Sequence, residues 1–213
     1  LNSWKEWIKS GDEATRKLGV LVTEYIGSDK FWDKVLNTLA ITKPIYKLIR
    51  FCDKDGPIMG EVYEGMDNML GEIKDALKNN KYKDVFPHIE EIVLGRWEKM
   101  NVPMHCLGFA LSPRFYDSTY VSITTPDGTI RKKPNEDKEV MNGVLKAFEK
   151  IAGSENEARL LRKQFVDFHM RKGLFATAAA HVDAVSMDAI EWWYNYGSET
   201  PELSELARKI LSQ

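Results

Sequence analysis

The residues of this chain that could hold a transition metal are few. They are Cys52, Cys106, His88, His105, His169 and His181. No two of the histidines are four residues apart, the spacing that places two ligands on one face of a helix, and the cysteines are too far apart to form the paired motif of a zinc site. The histidines are therefore expected to pack or to face solvent, and the sequence predicts no metal or other cofactor in this chain.

Acidic residues are plentiful, but their spacing does not define an active site. The candidates are Asp67, Glu90, Glu91, Asp167, Asp183 and Asp188. Two-metal phosphoryl transfer needs about three carboxylates that converge on one pocket, and no motif here brings three together. The chain also lacks a nucleophile elbow, a P-loop and a dinucleotide-binding glycine motif. We therefore predict a protein that is not an enzyme, with the alternative that Asp67, Asp167 or Asp183 converge around a metal.

Clusters of basic residues are the remaining chemical signal. One group recurs on one face of a predicted helix near position 47, a second follows a turn near position 131, and a third enriches a helix near position 160. The candidates for contact with the DNA backbone are Lys43, Lys47, Arg50, Lys54, Arg131, Lys132, Lys133, Arg159, Arg162 and Lys163. Cations placed in this way can bind phosphates. The alternative is that they are solvated surface charges balanced by nearby acidic residues.

The composition limits how far such contacts extend. The 213 residues include 43% hydrophobic and 29% charged residues, which is typical of a soluble globular protein. A formal net charge of −2 excludes a generic nucleic-acid coat protein and makes any DNA contact local. Two cysteines are too few for a disulfide framework and indicate a reducing, intracellular compartment. No apolar run approaches the ~20 residues that a membrane span needs.

Hydrophobic periodicity predicts a mainly α protein, a helical bundle of about eight to ten helices. One stretch differs, because residues 117–135 place β-forming residues on both sides of Thr-Pro-Asp-Gly, which predicts one small β-hairpin or ordered loop. The predicted organisation is therefore a helical region at 1–116, the hairpin or loop at 117–135 and a C-terminal helical region at 136–213. These parts are expected to pack as one compact unit.

A few residues refine this picture. Pro44 lies inside a predicted helix and predicts a kink or a break. The Ala-rich residues 173–185 fit no clear pattern, and Trp97 is expected to anchor the core. Because neighbouring side chains on a helix diverge, one of the two adjacent tryptophans at 192 and 193 is expected to be buried and the other to face a domain missing from this chain or a partner. The candidate interface residues are Trp192, Trp193 and Tyr196.

Three segments carry a family resemblance. Residues 95–116 read GRWEKMNVPMHCLGFALSPRFY, and residues 188–193 read DAIEWW, followed by Gly197 and by PELSELARKIL at residues 201–211. Residues 28–67, from SDKFW to IMGEVYEGMD, contribute a third match. In order and spacing these motifs resemble plant transposase-like proteins of the hAT superfamily, which often carry a BED zinc finger. The resemblance covers nearly the whole chain.

The resemblance implies that the chain covers the helical insertion and part of the C-terminal RNase H-like region of such a protein. The family cuts DNA with three metal-binding acidic residues, two of them upstream of the matched region and one downstream, so no catalytic residue is carried over. It also places most of the dimerisation segment downstream, which is compatible with a monomer and leaves the oligomeric state open. In such a protein, the tryptophan of the pair that is not buried would face the missing catalytic domain or a partner. The N-terminal sequence LNSWKEW, with neither an initiator Met nor a signal peptide, favours a piece of a longer protein.

The leading hypothesis is a non-catalytic fragment of a hAT transposase-like, DNA-binding nuclear protein of a family with many domesticated members. It would supply scaffold, DNA-backbone or subunit contacts. Its partners would be weakly bound DNA and either another protein or the catalytic domain of the parent chain. The alternative is a protein–protein interaction module that is bound by another protein and has no DNA role. The near-neutral charge and the number of aromatic residues favour that alternative.

Overall fold

The computed structural model describes residues 2–54, 56–79, 81–100 and 103–213. These residues form twelve α-helices, five short 3-10 turns and no β-strand, which confirms the prediction of a mainly α protein. The helices are α1 (Asn2–Ser10), α2 (Glu13–Ile26), α3 (Asp29–Cys52), α4 (Val62–Lys78), α5 (Phe86–Met100), α6 (Pro103–Leu111), α7 (Ser118–Ser122), α8 (Lys138–Ile151), α9 (Glu155–His169), α10 (Ala178–Ser186), α11 (Ala189–Tyr196) and α12 (Pro201–Leu211). Asn101 and Val102, within the 95–116 motif, lie outside the described residues.

The helix count in the described residues exceeds the predicted eight to ten. Helices α1 and α7 fall in stretches for which the sequence predicts no helix, and α10 falls in the Ala-rich stretch without a clear pattern. All three are short. A nine-residue helix makes only about two and a half turns, which is too few for a 3.6-residue period to be recognised.

The β-hairpin predicted for residues 117–135 is not formed. Its first β-forming residues lie in α7, and the described residues contain only one isolated antiparallel bridge, between Thr124 and Ile130. Two-stranded pairing without further strands is marginal in water. The turn is held from outside instead, because the Asp127 carboxylate binds Lys74 Nζ on α4 at 2.7 Å. The segment is therefore an ordered loop tied to a helix.

The chain divides into two compact units, Leu1–Lys43 and Pro44–Gln213. The segment 117–135, where the sequence places its boundary, lies inside the second unit. The division itself falls within α3, which continues as one helix through Pro44 to Cys52. The predicted break at Pro44 is therefore absent, and the loss of one backbone N–H does not end the helix.

In the first unit, α1 packs against α2. Gly19 is buried there because the side chain of Ile8 lies directly over it. A Cβ at position 19 would come within 2.5 Å of the Ile8 Cγ1. Trp4 Nε1 donates a hydrogen bond to Thr23 Oγ1 at 2.9 Å between the same two helices. Many other apolar side chains of this unit stay exposed: Trp7, Leu18, Val20, Leu21, Tyr25, Ile26, Trp32, Leu36 and Leu39. The first unit therefore buries little apolar surface of its own.

The core of the second unit is built around α6. Six consecutive residues, Cys106–Leu111, are buried, because α4, α8 and α12 pack around a helix that is apolar on every side. Trp97 of α5 is buried and stacks on the ring of His105 with centroids 5.5 Å apart, which confirms the predicted core anchor. α6 has only nine residues, and among the described residues no helix is both long and apolar enough to cross a membrane.

The close approach of α6 and α8 predicts the effect of Gly143→Ala. A Cβ at position 143 would overlap the Cys106 Sγ and lie 2.5 Å from the Cys106 Cβ. Alanine favours a helix over glycine by about 0.5–1 kcal/mol, but overpacking a filled core costs about 1–3 kcal/mol. We expect the overlap to dominate and the free energy of unfolding to fall, as measured by denaturant titration.

Gly95→Ala is the matched control. Gly95 also lies inside a helix, and no described heavy atom of a neighbouring element lies within 4 Å of its would-be Cβ. Only the helix preference acts there, so this variant is expected to gain about 0.5–1 kcal/mol. Equal stability changes in the two variants would show that α6 and α8 are not packed as described.

Candidate functional site

The aromatic helix α11 lies at the centre of the C-terminal part of the chain. Asp188 caps it by accepting hydrogen bonds from Ile190 N at 2.8 Å and Glu191 N at 3.3 Å. Trp192 and Trp193 follow, with 3% and 0% of their surfaces exposed. Both tryptophans are therefore buried within the chain, and the prediction that one of them faces the missing catalytic domain or a partner is wrong.

Two neighbours on different sides of α11 explain why both indoles are buried. Trp193 Nε1 donates to the carbonyl oxygen of Leu111, the last residue of α6, at 2.8 Å. Trp192 Nε1 donates to the carbonyl oxygen of Ala180 on α10, also at 2.8 Å. Successive side chains of a helix point about 100° apart, so the pair reaches two separate elements. Each indole N–H, which would be costly to bury without a partner, is hydrogen-bonded.

Aromatic rings from α9 and from the turn after it complete this cluster. Phe175 stacks on Trp192 with centroids 5.4 Å apart and planes 9° apart. Phe168 of α9 lies 4.8 Å from Trp193. Tyr196, the third interface candidate, is half-buried, and its hydroxyl donates to Asp183 on α10. The three aromatic candidates on α11 thus make contacts inside the chain.

Helix α12 closes this part of the chain over the same core. Ser204 Oγ donates to the carbonyl oxygen of Trp193 at 3.1 Å, and Leu203 N donates to Gln164 Oε1 on α9 at 2.8 Å. The carbonyl oxygen of Gln213 accepts two backbone hydrogen bonds, at 2.7 and 3.0 Å, from the segment before α4. Helices α10, α11 and α12 are therefore a fixed part of the second unit.

The turn that leads from α9 into these helices has a left-handed backbone. Arg171 has φ of 54° and Gly173 has φ of 56°, and a non-glycine residue rarely adopts such a value. Arg171 is held in place because its Nη2 donates to the carbonyl oxygen of Tyr116 at 2.7 Å and its Nη1 lies 3.3 Å from the His181 ring. At Gly173, a Cβ would overlap the carboxylate of Glu199. The entry into the C-terminal helices is thus fixed by specific contacts.

The outer side of α10 is the apolar surface that these contacts leave open. Val182 and Val185 are exposed there, together with the small residues Ala178, Ala179 and Ser186. The sequence pattern assigns this Ala-rich stretch no role. The signal that could have identified it is the recurrence of uncharged residues at 178, 182 and 185, which is helical spacing.

The buried position of Arg131 is at odds with the predicted DNA contact. Its guanidinium donates to Glu64 Oε1 at 2.6 Å and to Asn68 Oδ1 at 2.8 Å, and it lies 5.1 Å from the centroid of the Tyr120 ring. Its side chain is only 10% exposed. Arg131 therefore links the 117–135 loop to α4 and is not available to a phosphate.

The other basic candidates divide into paired and unpaired cations. Lys47 Nζ binds Glu72 at 2.8 Å, and Arg162 binds Glu155. The candidates for which the described residues provide no ion pair are Lys43, Arg50, Lys54, Lys132, Lys133, Arg159 and Lys163. The basic stripe of α3 thus loses one member to an ion pair, whereas Arg159 and Lys163 of α9 remain together, one helical turn apart.

Two carboxylates of α4 lie in partly buried surroundings. Burial raises the pKa of Glu64, although Arg131 opposes the shift. The pKa of Asp67 is raised to about 6, mainly by burial and to a smaller extent by the nearby carboxylates of Asp137 and Glu139. Arg131 opposes this shift as well. The Asp67 side chain is nevertheless exposed to solvent. The pKa of Asp67 is therefore raised by its neighbours although the carboxylate stays in contact with water.

The carboxylates that the enzyme alternative requires do not meet. Asp167 binds Lys172 Nζ at 2.8 Å, and Asp183 accepts the hydroxyl of Tyr196. In the described ranges, no group of three or more His, Cys, Asp and Glu side chains is placed to hold a metal ion. These acidic residues serve contacts within the fold.

Residues 172–213 match the family model described as the hAT family C-terminal dimerisation region. No curated protein and no solved structure matches the chain. The matched residues comprise α10, α11, α12 and the turn before them, and the match supports a likeness of this part of the chain to hAT transposase-like proteins. It corrects the expectation that most of the dimerisation segment lies downstream, on which the compatibility with a monomer rested.

The raised pKa of Asp67 predicts how stability depends on pH. Between the ordinary pKa of 3.8 and the folded value of about 6, the folded state binds more protons than the unfolded state, so stability falls as pH rises through this window. Asp67→Asn removes the titrating group. The variant is expected to be more stable than the native chain at pH 7.5, and this advantage is expected to shrink toward pH 4, as followed by thermal unfolding.

Asp127→Asn is a control for which the change in stability is expected to have the opposite sign. The hydrogen bond from Lys74 lowers the pKa of Asp127, so its charged form stabilises the fold and the amide is expected to lower the unfolding temperature at pH 7.5. A stability difference between Asp67→Asn and the native chain that does not vary with pH would contradict the described surroundings of Asp67.

Proposed function

We propose that this chain is a non-catalytic part of a hAT transposase-like protein and that its C-terminal helices join two subunits. The observation that carries the proposal is the match of residues 172–213 to a dimerisation region. In the structure these residues form three helices on the second unit, with one uncharged side open to solvent. The proposed role is therefore structural, with the chain acting as a scaffold that positions subunits.

The rigidity of the C-terminal helices supports this role. Binding is more favourable when a contact surface is already ordered, because less conformational freedom is lost. Trp193 ties α11 to α6, and the hydrogen bond from Leu203 to Gln164 ties α12 to α9. A dimer made through these helices would consequently fix the whole second unit, and any DNA-contacting surface that it carries, relative to the second subunit.

Local contact with DNA phosphates is the second part of the proposal. The net charge of −2 limits such contact to particular faces. Arg159 and Lys163 favour α9 as one of these faces, because they lie four residues apart and the inward residues Leu161 and Phe165 hold the helix with this side outward. A helix with two adjacent unpaired cations is suited to follow a phosphate backbone. The nucleus is the compartment that this role implies.

The proposed absence of catalysis follows from the resemblance, which carries no catalytic residue over to this chain. It is also favoured by the contacts of Asp167 and Asp183, which are engaged by Lys172 and Tyr196. We therefore assign cutting and joining of DNA, where the parent protein performs them, to residues other than these.

A second candidate function is binding of another protein without a DNA role. The specific observation in its favour is the first unit, in which apolar side chains of α2 such as Leu18, Leu21 and Tyr25 are exposed. Contiguous exposed apolar surface marks interaction sites in soluble proteins. This candidate concerns residues up to Lys43, whereas the dimer proposal concerns the C-terminal helices.

The dimer proposal predicts the oligomeric state of the chain. The protein is expected to sediment at twice its monomer mass of 24.4 kDa and to dissociate on dilution. Because the open surface of α10 is uncharged, the dimer is expected to persist at high salt, where contacts between exposed charges are screened. Sedimentation equilibrium over a range of protein and salt concentrations measures the dissociation on dilution and the persistence at high salt. A single species of monomer mass at every concentration would contradict the proposal.

The DNA proposal predicts a salt-dependent affinity that depends on α9. In fluorescence-anisotropy titrations of a labelled duplex, the double variant Arg159→Ala/Lys163→Ala is expected to bind more weakly. It is also expected to reduce the slope of log affinity against log salt by about 1–2, since each phosphate contact contributes about 0.9.

The matched control is Arg162→Ala/Lys172→Ala, which removes the same charge from the same part of the chain. Arg162 and Lys172 already bind Glu155 and Asp167, so this variant is expected to keep the native salt slope. The same slope in both double variants, or no binding to duplex at low salt, would rule out a phosphate contact on this face of α9.

A further inference from the structure

The outer side of α10 forms a continuous uncharged surface. Ala178, Val182 and Val185 recur at i, i+4 and i+7, so they lie along one side of this nine-residue helix. Val182 is 67% exposed and Val185 is 54% exposed. Ala179 and Ser186 border them and are exposed as well. A contiguous patch of this kind marks an interaction surface, which an isolated exposed valine would not.

The opposite side of α10 is used by the fold. Ala180 is buried, and its carbonyl oxygen accepts the Trp192 Nε1 at 2.8 Å. Thr177 Oγ1 caps the helix by accepting from Ala180 N at 3.2 Å, and Asp183 accepts the hydroxyl of Tyr196. The helix cannot rotate to bury its outer side without breaking these hydrogen bonds. The apolar side is therefore held outward by the structure.

The other helices within 172–213 offer no comparable surface. Tyr194 is exposed on α11, but the Arg208 guanidinium lies over its ring at 4.2 Å. The outer side of α12 is charged and includes the ion pair of Lys209 Nζ with Glu205 at 2.6 Å. Burying such charges requires compensating partners, whereas burying the outer side of α10 removes no charge from water.

A groove of about 180 Å³ continues this surface at the C-terminal end of α10. The apolar residues of its walls include Pro57, Pro113, Ala184, Val185, Met187 and Ile190. Its charged residues are engaged within the chain, since Arg114 binds Glu61 and Asp188 caps α11. Val185 belongs to both the helix surface and the groove, so the two are continuous. The groove supplies area that a short helix lacks, since a stable interface buries about 800 Å² on each partner.

We propose that the outer side of α10 and this groove bind the same surface of a second copy of the chain about a two-fold axis, with the two α10 helices antiparallel. This inference rests on the proposed dimer function and adds the location of the contact. A two-fold axis pairs each patch with itself, which requires a self-complementary surface. The patch meets that requirement because the outer side of α10 carries no charge, and the charged residues of the groove are engaged within the chain, Arg114 with Glu61 and Asp188 with backbone N–H groups of α11. The small side chains at 178 and 179 allow the helices to approach closely, so that valines of one copy reach the groove of the other.

The test is Val182→Glu in the full chain, with the dimer dissociation constant measured by sedimentation equilibrium. In the proposed dimer each copy would bury an unpaired carboxylate, so the dissociation constant is expected to rise at least ~100-fold. Ile130→Glu is the matched control, because Ile130 is 74% exposed on the loop of the same unit and lies outside the patch. This control is expected to keep the native dissociation constant. Circular dichroism and thermal unfolding verify that both variants keep the native fold.

A second variant tests the same contact without adding charge. Val182→Cys in a Cys52→Ser background places one accessible thiol on the patch, since the remaining Cys106 is buried. A short bis-maleimide is expected to link two copies of this variant, and Ile130→Cys in the same background is expected to stay unlinked.

The outcomes separate this inference from the proposed function. Loss of the dimer in Val182→Glu but not in Ile130→Glu, with cross-linking of the Val182→Cys variant alone, supports the α10 contact. A native dimer that survives Val182→Glu, together with a Val182→Cys variant that is not linked, overturns the α10 contact and leaves the dimer proposal standing. A native chain that stays monomeric overturns both.

Discussion

The second unit depends on the hydrogen bond from Trp193 Nε1 to the carbonyl oxygen of Leu111. Leu111 ends α6, and the last carbonyl groups of a helix have no partner within it. In a fully buried site such a carbonyl would remain without water, which costs free energy. The indole supplies the missing donor and also fills the space between α6 and α11. One side chain thus completes the central helix and fixes the C-terminal helices to it.

The composition of α6 explains why that contact is central. Its nine residues, PMHCLGFAL, contain no charged side chain, so the helix is stable only when other elements cover it. α4, α8 and α12 do so. Gly143 of α8 lets that helix approach Cys106 of α6, and Ser204 of α12 joins that helix to α11 by donating to the carbonyl oxygen of Trp193. The C-terminal helices are consequently part of the core and cannot be treated as an appended module.

The sequence predicts best what depends on local pattern. The long amphipathic helices and the core position of Trp97 follow from spacing and residue type, because an apolar period of 3.6 residues sustained over many turns is specific to a helix with one buried side. The ends of helices and the short elements are harder to predict. Pro44 removes one hydrogen bond but does not stop α3, since packing and the remaining bonds decide whether a helix continues.

Features that depend on distant partners could not be predicted in this way. Arg131 resembles any loop cation in sequence, and only its contacts with Glu64 and Asn68, more than sixty residues away, remove it from the surface. The two tryptophans of α11 diverge as expected, yet both are buried because α6 and α10 cover separate sides. The β-forming residues of the 117–135 loop have no neighbouring strand to pair with among the described residues, so their preference for a strand is not realised.

The division between engaged and free side chains determines which surfaces remain for partners. Lys47, Arg131 and Arg162 are neutralised within the chain, so the proposed phosphate contacts are restricted to the described faces where cations stay unpaired, such as α9. Trp192 and Trp193 of α11 are buried in the core and Arg208 lies over the exposed Tyr194, which leaves the small uncharged side of α10 as the apolar surface of the matched region. The unpaired cations and the open apolar surface therefore lie on different helices of the same compact unit. In the proposed dimer, this separation would let one subunit hold another through α10 while the basic face of α9 stays exposed to a different partner.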